Sequence, residues 1–411
     1  MSNLSVNQYI KEIEDSLRSG NGEYVADYLS VQHSHAASQR IISSNPELSI
    51  RRLFEPPWDD VVLLHIRCLQ EMQKENYVEA YKHQFTLVQT FTKILQSQKD
   101  ENWALPIMYT LCLDLRKIAT KADMQLDRKE KPHEMLEKGA DLLMGFFRIC
   151  VGDNTIIFLF SFLSRSLQED TKRWGILNLT NQLFKIYFKV NKLHLLKPLI
   201  RVIESSNLKD MYPIAQRVTY KYFVGQQQMF QSKFKLAEEN LSFAFLHCHK
   251  DSKRNKRLIL IFLITVKMVL GIMPSMYLLQ KYGLMQFAEL VQAVKDGDLQ
   301  RFGAALEASE DFFIKWGIRL VLEKLKTIIY RNLFKKVSLL LRTHIIPVSA
   351  FKAALNFRKE YEDDDVIEDE EVMCILSNLI HDNKMKGYIS YQHLKVVLSK
   401  QNAFPPLSTS E

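Results

Sequence analysis

LVLEKLKTIIYRNLFKKVSLLLR, residues 320–342, repeats its apolar residues at helical spacing with no glycine or proline to stop it. One long helix is predicted over Leu320–Arg342. Leu322, Leu325, Ile329, Leu333, Val337 and Leu340 gather on one side as a core face. On the other side stand Lys324, Arg331, Lys335 and Arg342, separated by 7, 4 and 7 positions. At 100° per residue they fall within about 40° of one another. Four cations on one ridge suit a run of phosphates, each contact adding counterion release and salt sensitivity. Lys336 falls towards the apolar side, so either the helix is irregular there or this lysine snorkels.

The segment after this helix sets the fold of the C-terminal end. Pro347 starts a shorter helix over Val348–Arg358, and Glu360–Glu371 then carries nine acidic residues in twelve positions. A third helix is predicted over Glu371–His381, a turn at Asn383, and short strands at Gly387–Tyr391 and Val396–Leu398. Three helices followed by a strand pair is the order of a winged helix. The usual reading helix of such a module is its last, and here it opens on Glu370 and Glu371, which repel phosphates. Base reading is therefore disfavoured, while Lys384 and Lys386 in the wing are placed to touch a backbone. The tail Ala403–Glu411, with Pro405-Pro406 and serines, is expected to be extended and flexible.

Upstream, helix follows helix. Tyr77-x-x-Ala80 after the Lys74–Asn76 turn recurs as Phe234-x-x-Ala237 after Gln231–Lys233. An aromatic and a small residue open each helix, and the small one lets it approach its predecessor, as in tetratricopeptide-like hairpins. No clean 34-residue period runs through the chain. Only 13 glycines and 11 prolines punctuate 411 residues, too few for a strand-rich fold. The fold class is thus all-α: a degenerate helical-repeat (TPR-like) solenoid leading into a winged helix. Ser43–Pro57, Lys129–Pro132, Gly152–Thr171 and Lys250–Lys256 are linker candidates, none long enough to separate independent domains.

Charge narrows the function. The net charge is +8, unevenly spread. Lys315–Arg342 holds eight Lys/Arg against Glu323, and Lys250–Arg257 holds five against Asp251. Such local excess points to a polyanion or an acidic protein partner. Five scattered cysteines without a CxxC pair fit a reducing compartment. Met1–Ser16 lacks a basic start followed by an apolar core, so no secretory signal is expected. The apolar runs Ile156–Leu163 and Leu258–Val266 are about half the length of a membrane span. His247-Cys248-His249 cannot converge on a metal, because neighbours on a helix point about 100° apart. Tyr220-Lys221-Tyr222-Phe223 reads as packing between helices. Phosphate-loop, dinucleotide, nucleophile-elbow and zincin signatures are all missing, so a non-enzymatic protein without cofactor or metal is expected.

The strings ENWALP (101–106), NQLFKIYFK (181–189), NLKD (207–210), AQRVTYKY (215–222), YRNLFKKV (330–337), KGYIS (386–390) and FPPLS (404–408) carry a family likeness. Through them the sequence closely resembles the PCI domain-containing protein 2 family, subunits of TREX complex 2, over essentially its whole length. The eight apolar residues Ile156–Leu163 depart from it, lying where the family has a short polar connection. The resemblance implies a solenoid over 1–214, a PCI domain over 215–400 (repeats 215–310, winged helix about 311–400) and a flexible tail over 401–411. It implies partners as well: a large GANP-type scaffold subunit, a small acidic DSS-type subunit, and RNA and possibly DNA. It places the protein in the nucleus, at the nuclear pore, in transcription-coupled mRNA export, without membrane insertion. Lys324, Arg331, Lys335, Lys336, Arg342, Lys384 and Lys386 are the candidate nucleic-acid contacts. A protein-only PCI subunit of proteasome-lid, signalosome or translation-initiation type is the other reading of the same charge.

Overall fold

One kind of turn recurs at several helix ends along this chain. The computed structural model, which describes residues 5–42, 46–98, 102–126, 132–152, 171–357 and 367–407, gives positive φ at Gly20, Glu75, Asn191, Ser232 and Gly297. After each, the next amide donates to the carbonyl five residues earlier: Asn21 to Ser16, Asn76 to Glu71, Lys192 to Tyr187, Lys233 to Gln228, and Asp298 to Ala293, at 2.9–3.0 Å. That bond satisfies a carbonyl the helix end would otherwise strand. Glu75, Asn191 and Ser232 hold the left-handed position without being glycine, at a cost of roughly 1–2 kcal/mol each. Sparse glycine is therefore compatible with many helix reversals. Ile156–Leu163, most of the acidic run and residues 408–411 lie outside the described residues.

Two compact units divide the chain, Met1–Tyr220 and Lys221–Glu411. The first contains α1 (Val6–Arg18), α2 (Gly22–Tyr28), α3 (Gln39–Ile42), α4 (Glu47–Leu53), α5 (Trp58–Gln73), α6 (Tyr77–Ser97), α7 (Leu105–Leu126), α8 (Glu134–Gly152), α9 (Ile176–Lys189) and α10 (Leu196–Glu204). It ends within α11 (Ile214–Phe230). Helices α5 to α8 pack each on the next. Fully buried Phe91 of α6 meets Trp58 edge-on at 6.0 Å and Phe146 at 6.1 Å between ring centroids. Ala80 is buried at the α5–α6 reversal, as its small side chain requires. Asp123 of α7 accepts the Met135 and Leu136 amides at 2.9 and 3.1 Å, supplying the first turn of α8 with an acceptor from another helix. Tyr220 is buried against Phe184, ring centroids 5.9 Å apart, and donates its hydroxyl to Glu204 at 3.0 Å.

The second unit continues with α12 (Phe234–His247), α13 (Lys253–Val269), α14 (Met276–Lys281), α15 (Ala288–Asp296), α16 (Leu299–Ala308), α17 (Glu310–Lys315), α18 (Arg319–Glu323) and α19 (Lys326–Leu341). Then come β1 (Ile345–Pro347), α20 (Val348–Asn356), α21 (Asp369–His381), β2 (Gly387–Ser390) and β3 (Lys395–Leu398). The antiparallel sheet has order β1-β3-β2, with Val396 opposite both Ile346 and Ile389. Phe334 and Phe351 meet at 4.7 Å beneath it, in a core shared with Val348, Val372, Leu376 and Leu398. This is the winged helix the sequence predicts, with a third strand between its first two helices. Three residues ending in proline are too short for an alternation signal, so β1 has no mark in the sequence.

Three expectations need correction. The helix over Leu320–Arg342 is broken: Lys324, Leu325, Thr327 and Ile328 donate to carbonyls only three residues back. This tighter turn advances about 120° per residue instead of 100°, which shifts everything after it around the axis. Leu340 is 81% exposed and does not belong to the core face. Ala403 and Phe404 pack on the winged-helix core and Pro405 is buried, so the tail is docked as far as Leu407 rather than free.

Candidate nucleic-acid interface

Helix α19 is covered on two sides, by the repeat helices α15 and α16 and by α20 and α21. A helix so enclosed has little free ridge: the phase shift at its start sets Lys324 apart from the other three cations, and the docked tail covers Arg331. Arg331 turns inward and is 6% exposed. Its Nη2 donates to the carbonyls of Phe404 at 3.0 Å and Pro405 at 2.8 Å, and its Nη1 to Asn332 Oδ1 at 2.9 Å. The Phe404 ring lies 5.8 Å from the guanidinium carbon. Burial holds its pKa below the usual arginine value. Arg331 therefore clasps the tail and is not a phosphate contact.

Lys336 is occupied too. Its Nζ donates to the Asp296 carbonyl at 2.7 Å, while Asn332 Nδ2 reaches the Val294 carbonyl, also at 2.7 Å. Both satisfy the C-terminal end of α15, where a lysine also complements the helix dipole. The close approach needs Gly297: at φ 66°, a Cβ there would lie 2.7 Å from the Leu333 amide nitrogen. Lys335, Arg342 and Lys386 are exposed and have no side-chain partner among the described residues. Arg342 sits at the end of α19 in the left-handed region, φ 52°.

Two of the predicted residues do meet. Lys324 and Lys384 line one cleft of about 740 Å³ with Lys233, Phe234 and Lys235 from the α11–α12 reversal. Lys324 Nζ bonds Ser232 Oγ at 3.1 Å and stands 5.3 Å from the centre of the Phe234 ring. A cation over an aromatic face is held without being neutralised. Asp382 is the acid in the lining; Lys384 at 2.8 Å and His381 at 3.3 Å face it. The Lys384 hydrogen bond, above all, keeps the Asp382 carboxyl below the usual carboxylate range. Leu407 closes one side against Gly271, where at φ 86° a Cβ would lie 2.3 Å from Leu407 Cβ.

Lys233 and Lys235 were not among the sequence candidates. Their signal is present, cations flanking an aromatic at a helix reversal, but a hairpin turn accounts for Phe234 as packing and for its neighbours as a solvated face. The cleft is lined by lysines from three separate chain segments. Ammonium groups act on phosphates as point charges rather than through a planar fork. At the start of α21, Asp369, Glu370 and Glu371 occupy the first turn, where a groove-reading helix would meet phosphates. Among the described residues no group of His, Cys, Asp and Glu is placed to hold a metal, and no helix is long and apolar enough to cross a membrane.

Helical hairpins running into a winged helix define a PCI-domain protein, and residues 280–400 match the PCI domain. The chain is 52% identical to PCI domain-containing protein 2 of Xenopus laevis and 53% identical to that of Danio rerio, over 411 residues and 100% of each chain. The Drosophila melanogaster homolog is 43% identical over 406 residues, 98% of this chain and 99% of its own. The chain belongs to the PCI domain-containing protein 2 family.

Proposed function

We propose that this chain is a non-catalytic subunit of a nuclear, transcription-coupled mRNA export assembly of the TREX complex 2 type, and that it holds RNA or DNA by the backbone without reading sequence. The observation that carries the nucleic-acid part is the cleft lined by Lys233, Lys235, Lys324 and Lys384, with Asp382 as the acid among its described lining residues. Exposed Lys335, Arg342 and Lys386 extend positive charge over the outside of the winged helix. Family membership supports the assembly part, with a large GANP-type scaffold subunit and a small acidic DSS-type subunit as partners at the nuclear pore. Leu339, Leu340, Leu341 and Ile345 at the end of α19 and on edge strand β1 are exposed. Apolar groups of that kind favour a subunit interface over open solvent.

The test is recovery of the tagged full chain from nuclease-treated nuclear extract, with bound proteins identified by mass. Stoichiometric recovery of a large export scaffold and a small acidic subunit is expected. Recovery of proteasome-lid, signalosome or initiation subunits in their place would overturn the assembly assignment.

A further inference from the structure

The basic run Lys250–Arg257 lies at the opposite end of α12 from the cleft. Helix α12 has 14 residues, about 21 Å at 1.5 Å per residue. Three pieces meet there: the end of α12, the start of α13, and α14. Phe245 packs edge-on against Tyr282, centroids 6.1 Å apart, and Lys256 Nζ stands 5.2 Å from the Phe245 centroid. Arg257 donates to the Tyr282 carbonyl at 3.1 Å, fixing the end of α14 on α13. Lys281 Nζ lies 5.7 Å from the Tyr277 ring centre and 5.9 Å from that of Tyr282. Tyr277 itself is 71% exposed. Lys250, Lys253 and Arg254 are exposed, with no side-chain partner among the described residues, and Asp251 is the acid of the run.

We propose that this surface is a second contact for single-stranded nucleic acid, gripping phosphates with Lys250, Lys253, Arg254 and Lys281 and stacking a base on Tyr277. It rests on the reading of the chain as a nucleic-acid-binding subunit and adds a site outside the winged helix. An acidic protein segment would satisfy the charges but gives no use to an exposed ring held beside ammonium groups. A flexible strand satisfies both, since every unpaired base has a face to stack and every nucleotide a phosphate. A duplex hides those faces, so single strands are preferred.

The experiment is fluorescence anisotropy of labelled 30-nucleotide oligouridine with the full chain, over a series of salt concentrations, with polyglutamate as competitor. Lys253→Glu/Arg254→Glu/Lys281→Glu changes three exposed side chains. It is expected to weaken binding more than tenfold and to lower the slope of log affinity against log salt by about 2, at about 0.7 per phosphate contact. Tyr277→Ala is expected to weaken binding about tenfold with the slope unchanged, because stacking releases no counterions. Wild-type affinity in both variants, alongside a loss in Lys233→Glu/Lys324→Glu/Lys384→Glu, overturns this site and leaves the cleft standing. Loss of polyglutamate binding with RNA affinity intact overturns it in favour of an acidic protein. No RNA binding by the wild type removes this site and the nucleic-acid part of the proposed function together.

Discussion

Replacing Arg331 by methionine removes its donors and keeps most of its stem. Two carbonyls, that of Phe404 in a part-buried place and that of Pro405 in a buried one, then lose a charged donor. Each stranded acceptor costs about 1–3 kcal/mol, or roughly 2–6 kcal/mol for the pair. Against this, the guanidinium is itself buried, faces no carboxylate within ion-pair range among the described residues, and has an unsatisfied Nε. Its removal relieves part of the desolvation penalty, leaving a net loss of roughly 2–4 kcal/mol. For a unit of this size, each kcal/mol lowers Tm by about 2–4 °C. Thermal melting followed by circular dichroism is therefore expected to shift down by about 4–16 °C. Exposed Lys335→Met is expected to stay within about 0.5 kcal/mol of wild type. Hydrogen exchange at residues 403–407 is expected to rise in Arg331→Met, reporting release of the tail. A wild-type melt for Arg331→Met, combined with an RNA-affinity loss equal to that of Lys324→Glu, would refute the clasp and return Arg331 to the surface.

Gly297→Ala puts a Cβ against the Leu333 backbone in a left-handed conformation, and a loss of at least about 1–2 kcal/mol is expected in denaturant unfolding. Asp123→Ala strands the Met135 and Leu136 amides at the start of α8, with an expected loss of about 1–2 kcal/mol by the same assay. His35 stacks on Tyr9 and sits 3.2 Å from His65 Nε2, and burial pulls its pKa down to about 4 and that of His65 well below 6.5. Between those values the unfolded chain binds protons that the folded chain does not. Stability is therefore expected to fall as pH drops from about 6.5 towards 4, and to fall less steeply in His35→Gln, as melts across that range would show.

The winged helix was legible because its signals are local: Pro347 before a helix, an acidic run, then two short strand-like stretches from Gly387 onwards. The hairpin turns at Tyr77 and Phe234 were legible for the same reason. The cation stripe was not, because it assumed an unbroken helix for Lys324 and a free tail beside Arg331. The 3₁₀-type turn at Lys324–Ile328 has no residue signature, and Leu325 within it is fully buried. The partners of Arg331 lie 73 and 74 residues further along the chain, beyond the reach of any periodicity. Lys336 looked available for a phosphate, yet it answers the end of α15, 40 residues away. Charge counts located the basic regions correctly, but only the packing shows which cations face outwards.

The cleft lined by Lys233, Lys235, Lys324 and Lys384 is proposed to bind nucleic-acid backbone through charge. The most direct test is the salt dependence of single-stranded RNA affinity for the wild type and for Lys233→Glu/Lys324→Glu/Lys384→Glu, measured on the assembled complex. Wild-type affinity is expected to fall steeply with salt and to be the same for different base sequences, with the slope lowered by about 2 in the variant. A variant with unchanged affinity and unchanged slope would contradict it.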